Sequence, residues 1–455
     1  MTKLKTILLI YSICALIVYS VFVILSASYN PTAEVQKFTV GDSKTLKVGI
    51  MGDTQLICSD TDTNYNYTDH LVKSLQIMKE QQVQVIVFTG DLSNNGRSYA
   101  YNIFVDLFNE IFPDKDTAPI LNIVMGNHEY WYYIYFPTVA VQTQRTWEKA
   151  LNEKPFSHKV INGFHFINWS SMNPTGINCN PNVNWAREQI ELAIADDPKK
   201  PVFVTTHFPP RDTMYLSDEV GVKLTRILFD QYEQVIALSG HSHAALTDER
   251  SIWQDTFTAI QTQAVAYIGL EQYKENGHIP KDEFNDINYS KRNYMGIIMT
   301  LNDTAVEMKR ISFEKNAFYK EEQPWVIDLP MNKETFRYTH KKRMENRGKP
   351  YFEEDGIIEF LQQEKEGINY KQLKFTQAKH EDLIHSYRIK FKKNHFNKEY
   401  LYFSDFFLMK EDRSDQLIVK IPNEVKKGNY TVSIYAIESF GLESETPLTK
   451  TILIE

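Results

Sequence analysis

At 455 residues the chain is longer than one ordinary domain and suggests two or three. A composition of 42% hydrophobic and 24% charged residues, with 27 Phe and 26 Tyr, excludes a disordered chain and supplies material for large cores. The net charge of −8, without a long basic run, argues against a nucleic-acid polymer as partner, but leaves a small phosphate ester open because a metal site brings its own positive charge.

The chain opens with Lys3 and Lys5, followed by an uncharged apolar stretch at 7–25. That stretch is about the length of a bilayer-spanning helix and longer than the usual apolar segment of a signal peptide. Ser26, Ala27 and Ser28 then offer a small-residue cleavage site. Residues 1–29 therefore read as a signal-anchor or as a cleaved signal peptide. In the first case the protein is a single-pass membrane protein with its bulk outside the cytoplasm; in the second it is secreted. Cys14 lies in this stretch, and its YSIC context is not a lipobox. Cys58 and Cys179 form one disulfide or remain two thiols; the sequence favours neither. Asn-x-Ser/Thr sequons at Asn66, Asn168, Asn288, Asn302 and Asn429 read as chance matches in an Asn-rich chain.

From 46 to 314, short Val- and Ile-rich runs alternate with amphipathic stretches. LKVGIM, VQVIVF, PILNIVM, PVFVTT and VIALS read as buried strands, and 68–82 and 185–196 as helices, which implies an α/β domain. Segments 163–169 and 294–312 read as antiparallel strands covering an edge. Residues 315–350 read as a connector whose charged run, THKKRMENRGKP, is a solvated face. From 351 to 455 only strand patterns remain, at regular spacing, and predict an all-β sandwich.

Five of the strand-like runs end in polar residues able to bind metal. They are Asp53 and Gln55 in GDTQ, Asp91 in GDLSNNGR, Asn127 in GNHE, His207 in TH, and His241 with His243 in GHSH. In an α/β sheet, ligands gather at the carboxyl ends of strands. Asp, Asn and His together offer oxygen and imidazole donors suited to Mn, Fe or Zn. Each fragment alone is ordinarily a turn or a surface loop. All five in order, each directly after a strand-like run, are hard to attribute to chance.

This set of motifs resembles the signature of the calcineurin-like metallophosphoesterases, over about three-fifths of the chain. The resemblance implies a four-layer β-sandwich flanked by helices, with two metal ions at the sheet edge. One ion would be held by Asp53, Asp91 and His243, the other by Asp91, Asn127, His207 and His241, with Asp91 shared. It further implies a metal-bridging hydroxide that attacks a phosphate mono- or diester, with His128 beside the leaving group as acid or charge stabiliser. Where the family's first motif is Asp-x-His, this chain has Asp53-x-Gln55, which puts the first metal's affinity and identity in question. Asn94 stands where purple acid phosphatases carry a tyrosine, so GDLSNNGR is more similar to the cyclic-nucleotide phosphodiesterase-like branch. Arg97 and Arg211 are candidates for phosphate contact. Residues 129–133, EYWYY, line the pocket or pack as an aromatic core contact. The remaining histidines, His158, His165 and His385 among them, show no partner spacing. Segment 428–444 resembles the penultimate strand and loop of fibronectin type III modules, with Tyr430 at the tyrosine-corner position. A surface-binding protein that keeps the metal fold without turnover is the alternative function; the complete ligand set and His128 weigh against it.

Overall fold

The computed structural model describes residues 34–41, 44–56, 67–133, 140–171, 182–271, 289–290, 292–365 and 368–455. Segment 1–29, Cys58, Cys179, Asn66 and Asn288 lie outside them. Among the described residues no helix is long and apolar enough to cross a membrane.

The chain begins with β1 (Val35–Phe38) and β2 (Leu46–Met51), then α1 (Thr68–Glu80), β3 (Val85–Phe88), α2 (Ser98–Ile111) and β4 (Ile120–Ile123). A 3-10 turn (His128–Tyr133) leads to α3 (Ala140–Leu151), the hairpin β5 (Phe156–Ile161) and β6 (Phe164–Trp169), α4 (Val183–Asp196) and β7 (Val202–Thr205). Two short helices, α5 (Ser217–Val220) and α6 (Lys223–Phe229), precede β8 (Val235–Ser239), β9 (Ile252–Gln254) and β10 (Thr258–Gln261). After the small pair β11 (Ile268–Gly269) and β12 (Tyr289–Ser290) come β13 (Met295–Leu301), β14 (Ala305–Ser312), β15 (Ala317–Tyr319) and β16 (Trp325–Asp328).

These strands make two seven-stranded sheets. One has the order β1-β5-β6-β7-β8-β10-β9; the other runs β15-β14-β13-β2-β3-β4, with β16 also paired to β14. Central strands such as β3, β7 and β8 are apolar on both faces because both faces are covered. One apolar cluster joins the sheets, with Val48, Val87 and Ile297 meeting Phe166, Phe203 and Leu238. A second packs β2, β3 and β4 against the outer helices through Leu71, Leu75, Phe104 and Trp147. A third packs β6, β7 and β8 against α4 and α6 through Ile190 and Leu228. The result is four layers, helix–sheet–sheet–helix. Strands β2, β3 and β4 run parallel, as do β7 and β8, so their carboxyl ends open on the same edge of the sandwich.

Two sequence expectations need correction. Strand β6 is not an edge cover: it pairs with β5 on one side and β7 on the other. Segment 294–312 does form antiparallel strands, β13 and β14, along the edge of the parallel set β2-β3-β4. The polar residues of β6 are satisfied inside. His165 bonds His158, and Asn168 Nδ2 donates to Ile123 O and Ser157 Oγ. Asn168 is 0% exposed, so the folded protein cannot carry a glycan there. The charged run at 339–350 is only partly a solvated face. It contains α7 (His340–Met344), from which Arg343 turns inward to donate to Glu249 O (2.7 Å) and Ile252 O (3.3 Å). Arg347 likewise pairs with Glu438 and with Asp382 (3.0 Å).

The C-terminal part is antiparallel throughout. It comprises β17 (Ile358–Lys365), β18 (Ile368–Thr376), β19 (Ile384–Lys393), β20 (Phe396–Phe403), β21 (Gln416–Lys420), β22 (Gly428–Glu438) and β23 (Leu448–Ile454). A three-stranded sheet, β17-β18-β21, shares one apolar core with a four-stranded sheet, β20-β19-β22-β23. Tyr430 is buried edge-on to Phe391 and Phe396. The sandwich is seated on the first part of the chain. Tyr215, Leu216, Ala244 and Ala245 form one buried cluster with Leu383, Phe403, Phe406 and Phe407. Tyr215 Oη bonds His385 Nε2 at 2.8 Å, and Asn293 Nδ2 donates to Phe407 O at 2.7 Å.

Candidate metal centre

Each candidate ligand lies within a few residues of a strand's carboxyl end, where the chain must turn sharply. Asp53, Gln55, Asp91, His241 and His243 all adopt the left-handed conformation, with φ of 53°, 46°, 51°, 64° and 52°. That region disfavours any residue with a Cβ, and such strain is concentrated at functional sites. Backbone bonds hold the turns together: Asp53 N donates to Gly90 O, and Gln55 N to Asp91 O (both 2.9 Å). Gly240 N donates to His207 O (3.0 Å) across the other sheet. The motif glycines are needed for close approach. A Cβ on Gly126 would stand 2.1 Å from Asp91 Oδ1, and one on Gly240 would stand 2.2 Å from Asp53 Oδ2.

These turns bring together the side chains expected at the centre. Ligand atoms of Asp91, His207 and His241 lie within 4.8 Å of one another. His207 Nε2 is 3.1 Å from Asp91 Oδ2 and 2.8 Å from Asn127 Oδ1, while its Nδ1 bonds Thr89 O at 2.9 Å. On the other side His243 Nε2 is 3.3 Å from Asp53 Oδ1, with Nδ1 bonded to Tyr267 O at 3.0 Å. A carbonyl can only accept, so Nδ1 carries a proton in both rings. That turns Nε2 toward the acids, where its lone pair is the one a metal would take, the arrangement typical of metal-ligating histidine. Asp53 also accepts from His241 N (3.1 Å).

The charges leave a cation's place in the middle. Burial pushes the Asp91 carboxyl up, but His207, His128 and His241 together outweigh it and hold it well below the usual carboxylate range. Burial pulls His207 down, and Asp91 with Asp53 more than reverses that, to about 9. Desolvation, and then the neighbouring His207, hold the half-buried His241 well below its ordinary value. Two acids thus face imidazole nitrogens and the Asn127 oxygen. Asp91 Oδ2 is buried without a hydrogen-bond partner, an expensive state for a carboxylate oxygen unless a cation or a donor meets it. Residues of this type, this buried and this poorly satisfied by one another, fit divalent cations.

His128 stands beside the centre. Its amide donates to Asp91 Oδ1 (2.9 Å), Nδ1 bonds Asn94 O (3.2 Å), and Nε2 lies 3.9 Å from Asp91 Oδ2. The two arginines are less well placed. Arg97 is exposed at the N-terminus of α2. Arg211, partly exposed, lies 3.9 Å from Asp212.

One residue was missed as a positioning group. Glu129 was read with the aromatic run, yet it is wholly buried and bolts two motifs together. Its Oε2 accepts from Asp91 N (3.1 Å) and Gly126 N (2.6 Å), and its Oε1 from Ser93 N (2.9 Å). Burial, then the neighbouring Asp91 charge, push its carboxyl up to about 8 against the pull of these amides. An acid placed between a ligand motif and an aromatic run was the available signal, since a buried carboxylate must find donors. Tyr130 is buried as well, whereas Trp131 is not.

Residues 46–245 match the family model described as calcineurin-like phosphoesterase. The chain carries a metallophosphoesterase domain. With its buried His/Asp cluster, that domain marks the protein as a phosphoesterase. No curated protein matches the chain in sequence. Solved structures similar to it include a dimetal phosphatase from Danio rerio, at 12% identity over 63% of this chain and 99% of that one, with a TM-score of 0.39. A purple acid phosphatase from yellow lupin (Lupinus luteus) seeds matches at 12% identity over 63% of this chain and 54% of its own, also with a TM-score of 0.39. A Streptococcus pneumoniae protein described as a predicted phosphoesterase matches at 10% identity over 62% and 98% of the two chains, with a TM-score of 0.26. At these scores the site's own geometry carries the argument.

Proposed function

We propose that the metallophosphoesterase domain hydrolyses a phosphate mono- or diester with two metal ions held at the sheet edge. The observation that carries this is the buried cluster of Asp91, His207 and His241, with Asp91 Oδ2 unpartnered at its centre. Asp91, Asn127, His207 and His241 would hold one ion, and Asp53, Gln55, Asp91 and His243 the other. Manganese, iron and zinc all suit these donors. When bound, the ions neutralise charge on the phosphate and make water a nucleophile near neutral pH.

The chain's own residues do the rest. Glu129 fixes the Asp91 and Gly126 backbones, so the shared carboxylate cannot drift. Nδ1 of His128 is tied to Asn94 O, so Nε2 faces the site, and the imidazolium form can give its Nε2 proton to the departing alcohol oxygen. Arg97 and Arg211, on loops following the second and fourth motifs, are rim groups for the phosphate's outer oxygens. We place the domain outside the cytoplasm on the strength of the apolar stretch at 7–25. We also assign the C-terminal sandwich as fibronectin type III-like. Support comes from its three strands, β17-β18-β21, facing four, β20-β19-β22-β23.

The test is hydrolysis of p-nitrophenyl phosphate and bis-p-nitrophenyl phosphate with Mn, Fe and Zn each supplied, beside Asp91→Asn. Metal-dependent turnover abolished in that variant is the expected result. Bound metal without turnover of any ester would replace the hydrolase with a metal-containing binding protein.

A further inference from the structure

Three histidines at the centre each carry an aromatic partner. Phe208 lies 4.1 Å from His241, and Tyr267 lies 4.4 Å from His243, both tilted. Trp131 lies 5.2 Å from His128 at an interplanar angle of 10°, a parallel stack. Phe208 is buried and Tyr267 half-buried, but Trp131 is 50% exposed. Packing alone explains the first two. It does not explain why the largest apolar side chain of all is left half in water against the histidine next to the leaving group.

The wall around Trp131 is built to stay in place. Gly96 touches the Glu129 backbone so closely that a Cβ there would stand 1.8 Å from Glu129 O. His128 bonds Asn94 O, and Glu129 bonds Ser93 N, so the second-motif loop and the 3-10 turn form one rigid unit. The turn and the first residues of α2, which follows the loop, carry two of the three large aromatic side chains that are exposed among the described residues, Trp131 and Tyr99. An exposed indole stacked on His128, carried by a turn that is tied to the second motif, offers a stacking platform for what departs.

We propose that Trp131 is a specificity residue that stacks on a planar ring in the leaving alcohol. The substrate class is thereby narrowed to phosphate esters of nucleosides or aryl alcohols. This rests on the phosphoesterase function proposed above and refines it. Ring stacking does not depend on which base is present, so preference should follow the ring and not its hydrogen-bonding edge.

The test compares kcat/KM of the Mn-loaded protein for adenosine 5′-monophosphate, phenyl phosphate and glycerol phosphate, in wild type, Trp131→Ala and Trp131→Phe. The readout is the ratio of a ring ester to the ringless one. Adenosine 5′-monophosphate and glycerol phosphate both release an alkyl alcohol, so an effect on His128 cancels between them. For phenyl phosphate, whose phenol needs less protonation, it would raise the ratio and not lower it. The ratio is expected to fall about 5- to 150-fold in Trp131→Ala, the equivalent of about 1–3 kcal/mol, and to recover largely in Trp131→Phe. A fall for adenosine 5′-monophosphate alone assigns a nucleobase; a fall for both ring esters assigns any planar ring. A ratio unchanged within a factor of two overturns the proposal, whatever the absolute rates do. An equilibrium measurement separates this from failure of the hydrolase itself. In metal-free protein, adenosine 5′-monophosphate should quench tryptophan fluorescence and inorganic phosphate should not, with the quench lost in Trp131→Phe. If wild type hydrolyses no ester, the phosphoesterase function fails, and the fluorescence result still decides the stacking; a quench that survives in Trp131→Phe refutes it.

Discussion

Gly126→Ala isolates the geometry of the centre from its chemistry, because it removes no ligand. Gly126 is not among the glycines at positive φ, so the backbone tolerates alanine. The new methyl, however, would stand 2.1 Å from Asp91 Oδ1 and 2.8 Å from both Asp91 N and His207 Cδ2. Relief from 2.1 Å to an ordinary contact of about 3.4 Å requires the Asp91 carboxylate to move by about 1.3 Å. That move breaks the 2.9 Å bond from His128 N and shifts the one carboxylate both metal sites would share. A displacement of about 1 Å in a reacting array costs about 100-fold in rate; overpacking costs a further ~1–3 kcal/mol of stability. Calorimetric titration with Mn, kcat/KM on bis-p-nitrophenyl phosphate and a thermal melt would be read together. We expect both metal affinity and turnover to fall at least tenfold while the protein still melts cooperatively. Affinity and turnover within threefold of wild type would refute the claim that Gly126 is small to make room for Asp91.

Further outcomes follow from other sites. Gln55→His should raise affinity at the first metal position, because imidazole is the stronger donor; unchanged Mn titration would remove Gln55 from the ligand set. Burial pulls His158 down to about 4, against an ordinary 6.5, as it bonds Gln189 and His165 with Asp196 beyond. The unfolded chain therefore takes up this proton first, so the stability it confers is complete above pH 6.5 and lost as pH falls toward 4, by about 3 kcal/mol. His158→Gln should flatten the fall in melting temperature between pH 7 and 5; an unaltered slope would show that other groups set it. Phe407→Ala should cost about 3–5 kcal/mol, because the ring fills the cluster joining the sandwich to Ala244 and Ala245. Chemical denaturation showing under 1 kcal/mol would mean that the two parts merely touch.

How much of this was legible depended on whether the signal was local. The strand ends and the candidate ligands beside them could be read because each motif directly follows an apolar run, and the side chains gather where parallel strands end together. Contacts set by register were not legible. His158 and His165 gave no spacing signal, since they meet only through the β5–β6 pairing. Arg343 and Arg347 looked like solvated charges because their acceptors, Glu249 O, Asp382 and Glu438, are distant in sequence. Glu129 was obscured by the aromatic residues after it, though its three amide donors make it the clasp between two motifs.

The left-handed turns at Asp53, Gln55, Asp91, His241 and His243 make the centre a set of bent springs. Each such residue costs on the order of 1–3 kcal/mol, and the surrounding sheets must hold it there. A cation that binds the bent form and not the relaxed one works as the latch. Chelation should therefore release the rim of the sandwich before its body. Amide exchange would quicken at 53–55, 91 and 241–243 while β3, β7 and β8 stay protected.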